Sequence, residues 1–362
     1  MLRRKLIPRL SAALAATVLG ALLSGTDARA QCGPAGFVGL SSVTSFTSIL
    51  NTIDTAFLTQ TNAFVVSQSG TRPNATGGGA WGRIVGGEVT VDASATVTVG
   101  GTPFPCSSRS RLDYEGFQVG ADIARFNVDR TGTNLHFGVT GGSIHATGGE
   151  VGGLARGEGD VPFVGVYGAI NGHGFFADIL ARWSFINQDI TQPQAGLHDQ
   201  SADGREFAVS ASAGYNHSFG SWFLEPSAAL IAGRLNVDPV TVPGNPPVVP
   251  GTMFVQDIDT LLTRFGVRVG TTIKSGDLVL QPFAAANVWH EFAGDAHLRF
   301  DNTAGVTQFD LTASRVGTYG QYVVGVAALV PRSNWSGYAR LDYRKGDDLE
   351  AWGINAGLRY NF

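Results

Sequence analysis

Thiols are almost absent from this chain of 362 residues, whose only two cysteines are Cys32 and Cys106. A thiolate metal centre needs more ligands than that, and neither cysteine has other ligand types beside it. Charge is thin as well, 15% of residues with a formal net charge of −4, which leaves no basic footprint for nucleic acid. Lysine is scarce relative to arginine. Beyond the first thirty residues no run of about eighteen apolar residues occurs, and this excludes an α-helical membrane protein. Catalytic signatures are missing too. There is no Gly-x-Ser-x-Gly elbow and no Walker motif, and His290-Glu291 is followed by Gly294 where a zincin helix needs its second histidine.

What is present begins with an export signal. Arg3, Arg4, Lys5 and Arg9 form a positive segment, Leu10 to Leu23 is apolar, and Ala28-Arg29-Ala30 offers the small residues of a cleavage site. Residues 1–30 are therefore expected to be a signal peptide cut between Ala30 and Gln31. The apolar run is too short and wrongly flanked for a stable transmembrane helix. Gln31 stands where a lipidation signal needs a small residue, so an anchor on Cys32 is not expected. Glycine is abundant at 49 residues. An exported chain poor in charge, rich in glycine and aromatics and without a spanning helix suggests a closed sheet in lipid.

Residues 31–79 read as a short N-terminal segment and residues 80–362 as a barrel. Between Gly39 and Gln68 the residues Val43, Phe46, Ile49, Leu50, Ile53 and Phe57 recur at helical spacing, with Thr44, Ser45, Thr47, Ser48, Asn51, Thr52 and Thr55 on the other face. Ser69 to Gly79 reads as a loop. From Trp81 onward the period is two. Trp352, Ile354, Ala356, Leu358, Tyr360 and Phe362 alternate with Gly353, Asn355, Gly357, Arg359 and Asn361, and similar alternation surrounds Phe175 to Trp183, Phe265 to Val269 and Trp335 to Tyr343. The opposite face of these strands carries charge, as apolar-out, polar-in strands around a wet or plugged lumen require. Aromatics at the strand ends, Trp183, Trp222, Trp335, Trp352, Tyr360 and Phe362, suit the two lipid–water boundaries.

Connection lengths alternate. Short turns at Asn127 to Thr133, Asn171 to Gly174, Ser218 to Ser221, Lys274 to Asp277 and Pro331 to Asn334 are interleaved with longer loops. Those loops are Gly100 to Ser110, Ala146 to Asp160, Gln188 to Gly204, Val237 to Met253 and Asp295 to Thr312, with a brief last one at Lys345 to Glu350. Sorting of this kind belongs to an up-and-down transmembrane barrel with short periplasmic turns, and the count gives about twelve antiparallel strands.

The closing segment Leu358-Arg359-Tyr360-Asn361-Phe362 resembles the terminal strand of outer-membrane barrels. There the final aromatic residue is read by the barrel assembly machinery, which would make Tyr360 and Phe362 an assembly signal. The span from Trp81 resembles the autotransporter β-domain, the translocator of type V secretion. The matching pieces are Trp81-Gly82-Arg83, Gln118-Val119-Gly120-Ala121-Asp122, Leu224-Glu225-Pro226-Ser227-Ala228, Arg264-Phe265-Gly266 and Pro282-Phe283-Ala284 leading to Trp289-His290-Glu291-Phe292. The resemblance implies twelve strands around a pore helix, the place held by Val43 to Phe64. At about 1.5 Å per residue that helix is long enough to cross a membrane core of about 30 Å. Little chain separates Gln31 from the helix, so no large passenger is expected, and no Asn-Asn pair of the kind some members cleave is seen in the helix.

If the helix threads the pore N-terminus outward, Cys32 emerges beside the first external loop and a disulfide to Cys106 would staple the plug by about 4 kcal/mol. Two separate thiols are the alternative. Lumen-facing charges are expected at Asp122, Asp178, Arg182, Glu206, Glu225, Arg264, Arg268, Arg340, Asp342 and Arg359, of mixed sign. A salt-bridged lumen holding the helix explains them better than an ion-selective ring. His290, Glu291, Asp295 and His297 read as rim residues, Asp257 and Asp259 as a solvated strand edge. The Gly-rich Ala146 to Gly159 reads as a flexible loop and the Pro-rich Val237 to Gly251 as a stiff one. The chain is thus expected to be a non-enzymatic outer-membrane scaffold, needing no cofactor or metal. Its partners would be lipid and the assembly machinery, its barrel would be monomeric, and a passive or gated pore is the alternative.

Overall fold

The computed structural model describes residues 34–57, 72–330 and 333–362. The expectations for Ala30, Gln31 and Cys32 lie outside these residues. Period-two alternation becomes twelve long strands: β1 Ala75–Val99, β2 Thr102–Phe126, β3 Asn134–Glu150, β4 Arg156–Gly172, β5 Phe175–Gln192, β6 Gly204–Tyr215, β7 Trp222–Val237, β8 Ile258–Thr271, β9 Leu278–Glu291, β10 Thr318–Val330, β11 Trp335–Gly346 and β12 Leu349–Asn361. Each pairs antiparallel with the next. β12 returns to β1 in continuous register from Gly79↔Asn361 to Val91↔Leu349, which closes the sheet. At the very end Phe362 and Gly78 exchange backbone hydrogen bonds of 3.0 and 3.1 Å. Among the described residues no strand is left with an open edge in the apolar zone, as lipid requires.

The outer face of the barrel wears an apolar belt. Ile84, Phe117, Ile123, Phe137, Val164, Ile179, Phe265, Val324 and Leu358 are all exposed there. Aromatics bound the belt on both sides. Trp335 lies against Tyr360 with ring centroids 5.1 Å apart at the short-turn rim, and Trp183 against Phe207 at 4.9 Å toward the long-loop rim. Along β11 the belt runs from Trp335 to Tyr343, eight residues or about 27 Å of strand, which at a tilt of about 40° gives a height near 20 Å.

Above the belt the structure departs from the expected loops. Gly100 to Ser110 is no loop: β1 and β2 form one hairpin closed by Gly100 and Gly101, whose φ values of 56° and 83° favour glycine. Pro103 and Pro105 disguised this strand. They are tolerated because β2 pairs with β3 only up to Ser110, so beyond that residue one edge of β2 lacks a ladder partner there. Ala146 to Asp160 likewise belongs to the β3–β4 hairpin, interrupted only by residues 151–155. Asp295 to Thr312 is a hairpin of Ala296–Asn302 and Thr307–Ala313. That hairpin pairs on one side with β1, Ala95↔Ala313 to Thr98↔Asp310, and on the other with Gly251–Val255. Inside the Pro-rich segment, Val240–Val242 pairs with Gly251–Val255 in turn. The long connections thus extend the barrel sheet over one mouth of the barrel.

Strand β1 begins at Ala75, inside the stretch expected to be loop up to Gly79. The helix, α1 Pro34–Phe57, begins five residues before the expected Gly39. Its expected continuation to Phe64 or Gln68 falls on residues outside the described part.

A charge on the belt tests this assignment. Phe265→Arg, at mid-height of β8, is expected to cost about 2–4 kcal/mol of folding free energy in lipid vesicles by urea unfolding. Thr96→Arg, on the part of β1 above the belt, is expected to cost within about 0.5 kcal/mol.

Candidate functional site: a plugged lumen

Helix α1 enters the lumen from the long-loop mouth, N-terminal end outermost. Gly39 sits against Leu298, Leu311 and Phe309 of the covering hairpin, at a distance where an added Cβ would lie 3.3 Å from two of them. The apolar stripe Leu40, Val43, Phe46, Ile49, Leu50 and Ile53 is fully buried and joins one continuous core with Val91, Ala95, Leu112, Phe300 and Leu311. The stripe therefore packs mainly on strand extensions and the covering hairpin, rather than on glycine and aromatic patches of the lumen. Burying an aliphatic or aromatic side chain stabilises by about 1.5–3 kcal/mol, so six such residues hold the helix firmly.

The polar face is buried too, and each turn finds a partner. Ser41 Oγ donates to Gln192 Oε1 at 3.1 Å, Gln188 Nε2 donates to Ser45 Oγ, and Asn51 Nδ2 donates to the Tyr319 hydroxyl at 3.3 Å. Deeper, Arg344 Nη1 donates to Thr55 Oγ1 at 2.6 Å. The deepest contact is ionic. Arg182 Nη2 donates to Asp54 Oδ1 at 2.8 Å and to Glu206 Oε2 at 2.7 Å, all three side chains lying away from solvent. One guanidinium thus ties the helix to β5 and β6. Nε and Nη1 of Arg182 and the second oxygens of both acids have no partner among the described residues.

The short-turn half of the lumen is polar. Asp122 accepts from Arg359 Nη1 and Nη2 at 2.6 and 2.8 Å and from the Tyr167 hydroxyl at 2.8 Å, and His136 Nδ1 lies 3.0 Å from it. This knot links β2, β3, β4 and β12 across the closing seam. Arg268 makes a two-bond pair with Glu225, at 2.9 and 2.7 Å. Asp178 accepts from Ser212, and Asp342 lies 3.4 Å from Arg344 Nε.

All nine expected lumen charges, Asp122, Asp178, Arg182, Glu225, Arg264, Arg268, Arg340, Asp342 and Arg359, do point inward, and Glu206 with them. Arg344, on the polar face of its strand, also turns inward, and Asp54, Arg83 and Arg315 are inward charges that were not expected. Asp54 carried a signal, since it is the single charged residue between positions 31 and 71. His290 meets Thr318 and His297 meets Thr312 at the exposed rim, whereas Glu291 turns inward beside Asn51 and Asp54 of the helix and pairs with Arg315 at 3.5 Å, both side chains nearly buried; among the described residues no group converges as metal ligands. Asp257 and Asp259 flank Arg234, at 3.9 and 2.6 Å. Cys106 faces inward, is buried and is disulfide-bonded; Cys32 lies outside the described residues.

Comparison with known proteins agrees with this architecture. Residues 80–342 match the family described as Autotransporter beta-domain. The probable autotransporter YcgV of Escherichia coli K12 is 23% identical over 259 residues, which is 69% of this chain and 25% of that relative, so the chain spans about a quarter of its length. Among solved structures, the transport unit of the autotransporter AIDA-I from Escherichia coli superposes with a TM-score of 0.64 at 17% identity, covering 88% of this chain and 98% of that one. The β-domain of the Bordetella autotransporter BrkA gives 0.57 at 21% identity, covering 79% and 100%. The translocator domain of NalP from Neisseria meningitidis gives 0.56 at 16%, covering 90% and 99%.

Two outcomes follow from the plug. Arg182→Met leaves two buried carboxylates without their cation and is expected to cost about 3–5 kcal/mol in urea unfolding. Arg234→Ala, at the exposed pair, should cost about 0–1 kcal/mol. Peptide mapping of folded protein without reductant is expected to return Cys32 and Cys106 in one linked pair of peptides; two free thiols would contradict the staple.

Proposed function

We propose that this chain, which belongs to the autotransporter β-domain family, works in the outer membrane as a helix-plugged barrel whose covered mouth presents a scaffold at the cell surface. The observation that carries this reading is α1 itself. Its apolar and its polar face are both satisfied inside the barrel, the latter ending on the Asp54–Arg182–Glu206 triad. A helix meant to leave the lumen readily would not bring its only charge onto a buried guanidinium, because withdrawing it strands Arg182 with one acid.

The reading includes export through residues 1–30 with cleavage after Ala30, insertion by the barrel assembly machinery acting on the strand that ends at Tyr360 and Phe362, and a monomeric barrel. Insertion by that machinery is supported by the rings of both residues, which lie on the outer face at the short-turn rim, open to a partner before lipid surrounds them. It contains no catalytic step and calls for no cofactor.

A passive or gated pore is the second reading, favoured by a cavity of about 210 Å³ in the short-turn half of the lumen. Planar-bilayer recording separates the two. The plugged scaffold predicts near-silence from the full chain. Removal of residues 31–71, stopping short of β1, is expected to give only partial conductance, because the hairpin Ala296–Ala313 still covers the mouth. Shortening that hairpin in the same variant is expected to open it fully. Steady, ion-selective openings from the unaltered chain would favour the pore.

A further inference from the structure

Below the helix, the short-turn half of the lumen carries positive charge that the described acidic residues do not balance. Its cavity is walled by Phe176, Ser227, Arg264, Arg268, Phe283 and Asn287, among others. Glu225 also lines it, but that carboxylate is committed to Arg268 by two hydrogen bonds and accepts a third from Asn216 Nδ2 at 3.0 Å. Arg264 is different. It is 7% exposed, its Nη2 donates to Ser227 Oγ at 3.2 Å, and its Nε is buried without a partner. Arg340, 4% exposed on the lumen face of β11, lies within electrostatic reach of Arg264, and its Nε is likewise buried without a partner among the described residues. Arg83 adds a third guanidinium within electrostatic reach of Arg340.

The carboxylates nearby do not make up the balance. Asp178 attracts both Arg83 and Arg264, and Glu225 attracts Arg264 as well, so these inward acids each serve more than one cation. Asp342 lies nearest Arg344, at 3.4 Å from its Nε without a hydrogen bond. Residues 58–71, between the helix and β1, include no acidic residue at all. Like-charged guanidiniums in a space withdrawn from water are costly unless an anion joins them. Their planar donor forks suit an oxyanion better than a spherical halide.

We propose that Arg264 and Arg340 form a binding site for a small oxyanion, of the phosphate or carboxylate class, reached from the periplasmic mouth. Val279 and Leu329, at the short-turn ends of β9 and β10, line the same cavity and set its opening on that side. Arg268 frames the site, held between the Phe223 and Phe283 rings at 5.2 Å from each centroid. The site is separate from the triad that holds the helix and stands whether or not the plug reading does.

The molecule contains a reporter. The Arg264 guanidinium lies over the Trp289 ring, 5.9 Å from its centroid, so an anion drawn to Arg264 alters the field at that indole. The full chain, folded in neutral detergent, is titrated with sodium phosphate at constant ionic strength against sodium chloride. Tryptophan emission and the thermal unfolding midpoint are both followed. Phosphate is expected to give a saturable change in both, with chloride giving none of comparable size. R264Q and R340Q are each expected to weaken phosphate by about tenfold, the worth of one charge-assisted hydrogen bond. W289F should lose the emission change and keep the thermal shift. Heat-modifiable migration on gels checks that each variant folds. R264K/R340K, which keeps the charge and loses the planar forks, serves where a glutamine variant fails, and is expected to bind more weakly than the unaltered chain. The proposal is overturned by the absence of saturation in the unaltered chain up to about 10 mM phosphate, or by unchanged affinity in the folded arginine variants.

Discussion

A backbone N–H or C=O facing hydrocarbon has no water to turn to, and each one left unpaired costs several kcal/mol. For a chain without an apolar spanning helix, this leaves a sheet closed on itself. The register from Gly79↔Asn361 to Val91↔Leu349, joining the first barrel strand to the last, is the contact on which everything else depends. It forces alternation on every strand, because one face must meet lipid and the other the lumen. It also brings Arg359 of the last strand onto Asp122 of the second, so that the seam is tied from inside as well as along its edge.

Closure creates a second demand, since a twelve-stranded barrel encloses more space than its own inward side chains fill. The chain meets it unevenly. Toward the long-loop mouth, α1 and the covering hairpin fill the space with a dry core that holds Leu40, Phe46, Leu298 and Leu311. Toward the short-turn mouth the filling is polar, and its arginines outnumber the acids available to them. The boundary between the two regimes lies at Asp54 and Arg182, where the apolar stripe ends and the single charge of the helix is met.

The barrel was legible in the sequence because its signals are local or periodic. Alternation along Trp352 to Phe362 follows from the pleat, and the short-turn clusters follow from turn chemistry. The inward direction of Asp178, Arg182 or Arg340 comes from the same period. What escaped was non-local. Strand extensions above the belt face water on the outside, so Glu88, Asp92, Arg109 and Arg111 there erase the contrast that marks a lipid-facing strand. Their prolines and glycines then read as loop. Nothing near Asp54 announces Arg182, 128 residues further along the chain. The helix start also eluded the pattern, because the periodic apolar positions become distinct only near Val43, whereas α1 already begins at Pro34, a residue suited to the first helical turn.

Membership of the autotransporter β-domain family fits a barrel that encloses a helix, and the particular chemistry of this chain is how firmly that helix is held. Native-state hydrogen exchange of the folded chain in lipid vesicles measures this most directly. Amides of residues 44–55 are predicted to exchange as slowly as those of β2 and β12, opening only when the barrel does. Exchange at the rate of a solvent-exposed helix, with the strands still protected, would contradict the account.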